Sequence, residues 1–276
     1  MIRRLKPNCE PPSFEGYAKF DAHTAEFLGF EEAPGGPLRM WVNLRDGLPP
    51  NSRYGAGADI SGGAGCTPSC LSIADARTGK KVLEFMDSNI EPKEFGTLSV
   101  ALCSTFCDES GIGAKLCWEQ SGPGGPYGAK IWKDHHYTNV YCRTSEMQFR
   151  QAVSDKPGLA PTRENFRMVH EDYRSALNMG YYLNSSERAL DECLSFKYTS
   201  DGRGIEHSQY ISSDDTGSRE NHGDIAIADA LSYKMIKGDV EKRNKPTEEE
   251  KAPTPGSSAW REWIDEQEES EQLVWA

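Results

Sequence analysis

The chain has 276 residues, and its 43 acidic and 31 basic side chains give a formal charge of −12 and a pI of about 5.1. This length suffices for one large domain or two small ones. No run approaches the roughly 18 apolar residues of a membrane helix, and the basic N-terminus lacks the apolar stretch of a secretory signal. We therefore expect a soluble, intracellular protein, and the negative charge at first argues against nucleic acid as a ligand.

Residues 1–50 are rich in Pro and Gly and contain one strand candidate at 38–43, which predicts an arm or linker. Three strands are then expected at 54–60, 70–74 and 81–86, with a hairpin turn at 75–80. A helix from Pro92, a strand at 114–119, a second helix and a strand at 139–142 follow. The order β-β-β-α-β-α-β predicts an antiparallel meander that two right-handed crossovers extend in parallel.

The second half is predicted to be more helical. Thr162 caps a helix, a short strand follows at 179–183, and the next helix begins at Ser185 or Ser186 and reaches about Phe196. The last ordered element is a helix within 222–233. These elements divide the chain into an arm (1–50), one domain (51–237) and a tail (238–276).

The tail holds eleven acidic and five basic residues, so its net charge of −6 is half of the total. Its Pro, Ser and Glu content predicts disorder, apart from a short helix between Ser258 and Trp275. Trp260, Trp263 and Ile264 have helical spacing there, which suits contact with a partner. A solvated tail with incidental aromatic residues explains the same pattern.

The eight cysteines do not predict disulfides, because nothing else in the chain is typical of a secreted protein. Two pairs have CxxxC spacing, Cys66 with Cys70 and Cys103 with Cys107. Structural zinc sites favour tighter knuckles. We interpret most of the cysteines as small buried apolar residues.

Three carboxylates occupy distinctive positions: Asp59 in the first strand of the series, Glu119 at the end of the fourth, and Asp224 at the start of the last helix. This layout is that of an α/β, ribonuclease H-like fold, with a central mixed sheet of five or more strands flanked by helices. The first and fourth strands are neighbours in such a sheet, so Asp59 and Glu119 can converge. A helix packed across the sheet would bring Asp224 to them.

Converging carboxylates repel one another and raise their own pKa values unless cations neutralise them. Mg²⁺ and Mn²⁺ prefer such oxygen ligands, and two ions about 4 Å apart can activate water and stabilise a leaving oxygen. The trio therefore predicts metal-dependent hydrolysis of a nucleic-acid backbone. Structural roles are the alternative: an Asx turn at Asp59, a turn cap at Glu119 and a favourable helix-dipole charge at Asp224.

Four segments, at 54–63, 117–125, 190–196 and 222–231, resemble in order and spacing the nuclease domain of tailed-bacteriophage terminase large subunits. The segment at 36–43 is similar to the stretch that leads into that domain from the motor half. The resemblance covers residues 36 to 236.

The resemblance implies a two-metal endonuclease that cuts concatemeric double-stranded DNA during genome packaging. Asp59, Glu119 and Asp224 match the family's metal ligands. His222 and Asp229 flank Asp224 and are candidate auxiliary residues, although Asp229, five residues on, can equally face away. Glu192 matches an acidic residue of the family's preceding helix, and a helix-face charge explains it equally well. The implied partners are DNA, an ATPase motor chain, the portal and the small terminase subunit, with no membrane, in the cytoplasm of a bacterial host.

The chain departs from the family pattern in two places. It has no GxxxxGK[ST] phosphate loop, because Gly79-Lys80-Lys81 lacks the upstream Gly and the Ser or Thr. We therefore expect a nuclease half without its motor: a fragment, a split gene or a truncated prophage remnant. The turn after Asp59 also lacks an acidic residue that many relatives have, so the resemblance implies no fourth ligand there.

Contact with DNA would depend on local basic residues rather than on the net charge. Three of them have spacings that share a helical face, although a solvated amphipathic helix explains that face as well. The candidates are Lys130, Lys133, Arg143, Arg163, Arg167 and Arg174.

Three other functions remain open. The sequence AlaAspIleSerGlyGly at 58–63 is compatible with the phosphate-binding turn of the sugar-kinase and actin branch, but that branch needs a second Gly-rich loop. A catalytically inactive module that docks on a packaging motor through the acidic tail is another reading. A junction resolvase is the third, because a fold does not fix its substrate.

Overall fold

A computed structural model describes residues 2–63, 67–145, 152–200, 204–207 and 223–244, together with residues 257, 258 and 260. Its main feature is a mixed seven-stranded sheet with helices packed on both faces. Within these residues, no helix combines the length and the apolar character that crossing a membrane would require.

The seven strands of the main sheet lie in the order β2-β1-β3-β6-β5-β4-β7. β4 and β7 run parallel, and all other neighbours run antiparallel. Two separate hairpins, β8 with β9 and β10 with β11, lie outside this sheet. The strands are β1 (Phe14–Phe20), β2 (Phe27–Glu32), β3 (Leu38–Met40), β4 (Tyr54–Asp59), β5 (Ser69–Asp75), β6 (Lys81–Asp87), β7 (Lys115–Trp118), β8 (Cys142–Ser145), β9 (Ala152–Pro157), β10 (Phe196–Tyr198) and β11 (Ile205–His207).

The helices differ widely in length. A short 3₁₀ turn, Lys6–Asn8, follows the first helix, and a π-helical segment, Lys130–Asp134, continues the third. The α-helices are α1 (Ile2–Leu5), α2 (Pro92–Thr105), α3 (Gly124–Ala129), α4 (Arg163–Met179), α5 (Glu187–Cys193) and α6 (Asp224–Arg243).

The predicted meander and its first crossover are confirmed. β4, β5 and β6 pair antiparallel in sequence order, and α2 then leads to β7, which pairs parallel with β4. The cap of α4 is also as predicted, because the Thr162 side chain accepts a hydrogen bond from the Asn165 N–H. Together these elements give the ribonuclease H-like arrangement expected from the sequence.

The N-terminal region differs from the predicted arm. β1 and β2 form a hairpin, and β3 joins β1 to β6, so residues 14–40 extend the same sheet. Leu38 and Met40 are fully buried against it. The Pro and Gly clusters that suggested a linker instead lie between strands, where the chain has to turn.

Two predicted strands are not formed as expected. At 179–183, α4 continues to Met179 and ends at Gly180 in the left-handed conformation, and Leu183 makes only an isolated bridge to Lys80. At 139–142, Val140 alone pairs with β7, and the chain then enters the β8–β9 hairpin.

The predicted tail begins inside α6, which continues to Arg243. Most of the short helix predicted there, including Trp263 and Ile264, lies outside the described residues. The cysteines agree with the prediction only in part. The seven that the structure describes are free thiols, but only Cys70, Cys103 and Cys117 of these are buried, and the other four are partly exposed.

Two apolar cores lie on opposite faces of the sheet because side chains alternate along each strand. On one face, Ala56, Ala58 and Trp118 pack with residues of α2 and α3. On the other, Cys117 packs with residues of α4 and α6. Asp59 lies on this second face together with Gly57, because residues two apart along a strand face the same side of the sheet.

Helix α6 lies directly on β4, and two glycines make this approach possible. A Cβ atom at Gly57 would lie 2.2 Å from the carbonyl oxygen of Ala228 and 2.4 Å from the Ser232 nitrogen. A Cβ at Gly55 would lie 2.7 Å from side-chain atoms of Ile236. The helix therefore runs antiparallel to the strand, and its first residues lie beside the strand's last residue.

We expect Gly57→Ala to displace α6 and to lower the free energy of unfolding by about 1–3 kcal/mol, a typical cost of overpacking. Gly238→Ala is the matched control, because a Cβ there meets no atom within 4 Å. That variant should leave the free energy of unfolding unchanged or raise it by up to about 1 kcal/mol, since Ala has a higher helix propensity than Gly. Urea denaturation measures both, and equal effects would contradict this account of the packing.

Candidate active site

A group of carboxylates lies where β4 and β7 end and α6 begins. Asp59 is the last residue of β4, and its carboxyl lies close enough to interact with that of Asp224, the first residue of α6. Ala58 pairs with Trp118 in the parallel ladder, so the next residues, Asp59 and Glu119, are neighbours on the same face. The structure thus brings the three predicted residues to one edge of the sheet.

Glu192 holds the N-terminus of α6 in place. Its Oε2 atom accepts hydrogen bonds from the backbone N–H groups of Ile225 at 2.8 Å and Ala226 at 3.0 Å. These are two of the donors that the first turn of a helix leaves unpaired. Ser186 caps α5, the helix that carries Glu192. Glu192 therefore positions Asp224 through the backbone of α6.

The pKa values of all four carboxyls are raised. Burial, then the charges of Asp224, Glu119 and Glu192, raise the pKa of Asp59 well above its ordinary value. Burial raises the pKa of Asp224 to about 7, although the interaction with Asp59 opposes this, and raises that of Glu192 also to about 7. The pKa of Glu119 is raised by burial. The surroundings therefore disfavour the ionised form of each of these carboxyls.

The donor set fits a hard divalent cation in its chemistry, because all its atoms are carboxylate oxygens. Asp59 and Asp224 are already in contact and would supply the first ligands, and Glu119 would supply another from the adjacent strand. No three His, Cys, Asp or Glu side chains of the described residues form a group that could hold one metal ion. The described part of the site is therefore a preformed carboxylate pair with a third carboxylate beside it.

The other predicted auxiliary residues are His222 and Asp229. His222 lies outside the described residues. Asp229 is fully buried farther along α6, where its oxygens lie 2.8 Å from Lys81 Nζ and 2.7 Å from Asn184 Nδ2. It also accepts a hydrogen bond from the hydroxyl of Tyr173. These contacts give Asp229 a structural role between the sheet and its helices.

Sequence reasoning missed this buried ionic network, in which Lys81 also contacts Glu84 and Arg188 contacts Glu84. Residues three apart in a regular strand face opposite sides of the sheet. Here the pairing shifts between Ile73 and Ala74, so that β6 has an extra residue before Leu83 and Lys81 lies on the same face as Glu84. Lys81 and Glu84 can be recognised as a pair only from the register of β6 against β5.

Several candidate DNA-binding residues have partners within the chain. Arg167 lies 3.8 Å from Glu171 and Lys130 lies 3.4 Å from Asp134, whereas Arg143 donates a hydrogen bond to the carbonyl of Gly158. Arg174 donates to the hydroxyl of Tyr198. Arg163 lines a cavity that also contains Glu119.

No protein-family model and no curated protein sequence matches the chain. Among solved structures, the large terminase nuclease from thermophilic phage G20c with bound magnesium has a TM-score of 0.52 and 16% identity, over 79% of this chain and 98% of that chain. The chain has the fold of a large terminase nuclease. The same G20c nuclease with bound cobalt gives a TM-score of 0.51 at 16% identity, over 79% of this chain and 98% of that one.

In this terminase nuclease fold, we expect Glu192→Ala to lower the free energy of unfolding by about 0.5–2 kcal/mol, a typical loss for a helix cap. Glu192→Gln keeps an oxygen that can accept the two N–H bonds, so its loss should be smaller. Urea denaturation at pH 8 compares them. Equal losses of stability in the two variants would show that the negative charge of Glu192, and not its hydrogen bonds to the backbone N–H groups, stabilises the fold.

The buried network should make stability depend on pH. Burial opposes ionisation of Glu84, but Lys81 and Arg188 outweigh it and lower its pKa to about 2, from an ordinary 4.5. A lowered carboxyl pKa stabilises above the ordinary value, and this contribution is lost as the pH falls from 4.5 through 2.

We expect Glu84→Gln to lower the free energy of unfolding at pH 7 by about 3–5 kcal/mol, as removal of one partner of a buried ion pair does. The variant should also lose stability less steeply below pH 4.5. Glu31→Gln is the control, because its ion pair with Lys19 is exposed and should contribute little. Parallel acid profiles for wild type and Glu84→Gln would contradict the assignment.

Proposed function

We propose that the chain is a metal-dependent endonuclease that cuts double-stranded viral DNA during genome packaging. The observation that carries the proposal is the interacting pair Asp59 and Asp224, with Glu119 beside it, at one edge of a terminase-nuclease sheet. Such a group is unfavourable by itself, because burial and neighbouring negative charges disfavour ionised carboxylates. The raised pKa of Asp59 reflects both effects. Binding of divalent cations would remove that cost.

Mg²⁺ or Mn²⁺, as two ions, would activate a water molecule and stabilise the leaving oxygen of a phosphodiester. The protein's part is to hold the carboxylates. Asp59 reaches the site from β4 and Asp224 from α6, and Glu192 fixes the first turn of α6 through two backbone N–H groups. Because Asp59 and Asp224 belong to elements packed together through Gly57, their separation is set by the core.

The similar structures support this choice of metal and process. Of the two similar G20c nuclease structures, one has bound magnesium and the other has bound cobalt. By analogy, the partners of this chain would be double-stranded DNA, an ATPase motor chain, the portal and the small terminase subunit, in the cytoplasm of a bacterial host. The analogy rests on fold, so each partner is part of the proposal.

The kinase-like alternative is disfavoured by the turn after Asp59. Gly63 in that turn has a φ of 97°, and a Cβ there would lie 2.7 Å from Oε1 of Glu91. A carboxylate so close to the turn would repel a phosphate bound to its backbone. The alternative of a catalytically inactive docking module has the same fold but no cleavage activity, so a cleavage assay distinguishes it from the nuclease.

We expect the wild-type chain to nick and linearise supercoiled plasmid with Mn²⁺ or Mg²⁺, and Asp59→Asn to reduce the rate at least 100-fold, as loss of a major charge-stabilising group does. Asp87→Asn is the matched control. Asp87 ends β6 at the same edge of the sheet, and its side chain accepts a hydrogen bond from the Asn89 N–H. That variant should keep its activity.

Cleavage that persists in Asp59→Asn or in EDTA would show that the carboxylate assignment is wrong. A second readout does not require turnover. Mn²⁺ should raise the melting temperature of the wild type and of Asp87→Asn, because a ligand that binds only the folded state stabilises it. Asp59→Asn should show no such shift, and a docking module without a metal site would show none in any variant.

A further inference from the structure

A cavity of about 330 Å³ opens beside the carboxylate group, and Glu119 forms part of its wall. The start of α4 lines one side, and the β10–β11 hairpin lines the other. The lining residues are Glu119, Pro161, Thr162, Arg163, Phe166, Thr199, Gly204 and Ile205. This volume is at the lower end of about 300–1,000 Å³ for small-ligand sites, so the cavity has the size for one nucleotide unit rather than for a duplex segment.

Arg163 is the residue of the lining that can bind an anion. Its side chain is exposed, and within the described residues it makes no ion pair, whereas Arg167 on the same helix lies near Glu171. The two hydroxyl groups of the lining already accept hydrogen bonds within the chain, and neither carries a charge that would attract an anion. Thr162 accepts a hydrogen bond from the Asn165 N–H, and Thr199 accepts one from the Gly204 N–H. A guanidinium group suits phosphate because two of its N–H groups can bind two oxygens.

Phe166 provides an apolar surface one helical turn after Arg163. Its ring lies 4.3 Å from the ring of His170, centroid to centroid, so its position is fixed by packing. It is partly buried and still contributes to the cavity wall. A guanidinium group and an aromatic ring on adjacent turns offer a charged surface to a phosphate and an apolar surface to the sugar attached to it.

We propose that this cavity binds one phosphate–sugar unit of the DNA strand next to the cleaved phosphodiester, with Arg163 on the phosphate and Phe166 against the sugar. The inference rests on the proposed nuclease function, because Glu119 would repel a phosphate unless cations neutralise it. Arg163 then sets which part of the strand lies over Asp59 and Asp224. It binds substrate, and the chemistry stays with the carboxylates.

The test compares Arg163→Gln, Arg163→Lys and Arg45→Gln. Arg45 is exposed and precedes β4, at the end of that strand opposite Asp59, so its variant removes the same charge away from the site. Binding of a fluorescein-labelled DNA duplex is measured by anisotropy with Ca²⁺ in place of Mn²⁺, so that a cation neutralises Glu119, over a series of salt concentrations. Plasmid cleavage with Mn²⁺ gives kcat and KM for each variant.

We expect Arg163→Gln to weaken duplex binding roughly tenfold, as loss of a charged hydrogen bond does, and to reduce the slope of log K against log salt by about 0.9. KM should rise by a similar factor with kcat nearly unchanged. Arg163→Lys should restore the slope but only part of the affinity, because it keeps the charge and loses the paired N–H groups. Arg45→Gln should match the wild type.

The two hypotheses fail in different ways. If the wild type cleaves DNA and Arg163→Gln behaves like Arg45→Gln, the cavity inference is overturned and the nuclease proposal stands. If the wild type binds DNA with a slope that depends on Arg163 but never cleaves it, the cavity inference is supported and the nuclease proposal fails. Absence of duplex binding by the wild type at low salt overturns the cavity inference.

Discussion

The close packing of α6 on β4 is the constraint on which the candidate site depends. Gly55 and Gly57 lack side chains on the face that α6 covers, so the helix backbone approaches the strand backbone directly. The direction of α6 is then fixed, with Ile236 near Gly55 and Asp224 near Asp59. A larger residue at either glycine would separate the two elements and, with them, the two carboxylates.

The site combines an energetically unfavourable group of buried carboxyls with two stabilising interactions. Burial raises the pKa values of Asp59 and Asp224, and the nearby negative charges raise that of Asp59 further. Glu192 offsets part of the cost by pairing N–H groups at the start of α6. Farther along the same helix, Asp229 forms an ion pair with Lys81 between the sheet and the helices. The same helix therefore carries one carboxylate with a structural role and one that lies beside Asp59 in the candidate site.

The sequence predicted the parts of the fold whose signals are local. Short apolar runs bounded by turn residues located β4 to β7, and Thr162 marked the start of α4 through its cap. The residues before β4 were misread, because the Pro and Gly clusters are the same whether they join strands or form a linker. The ionic network was missed for a different reason: Lys81 and Glu84 share a face only because of the irregularity in β6.

The sequence by itself determined the order of the elements and the three carboxylates at their ends, since these follow from periodicity and from residue type. Only the tertiary structure decided which acidic residues lie together. Asp229 and Asp224 are five residues apart on one helix, yet one contacts Lys81 and the other contacts Asp59, because a helix turns its residues to different neighbours. Glu192, which reads as a helix-face charge, became a cap because folding placed it at the N-terminus of another helix.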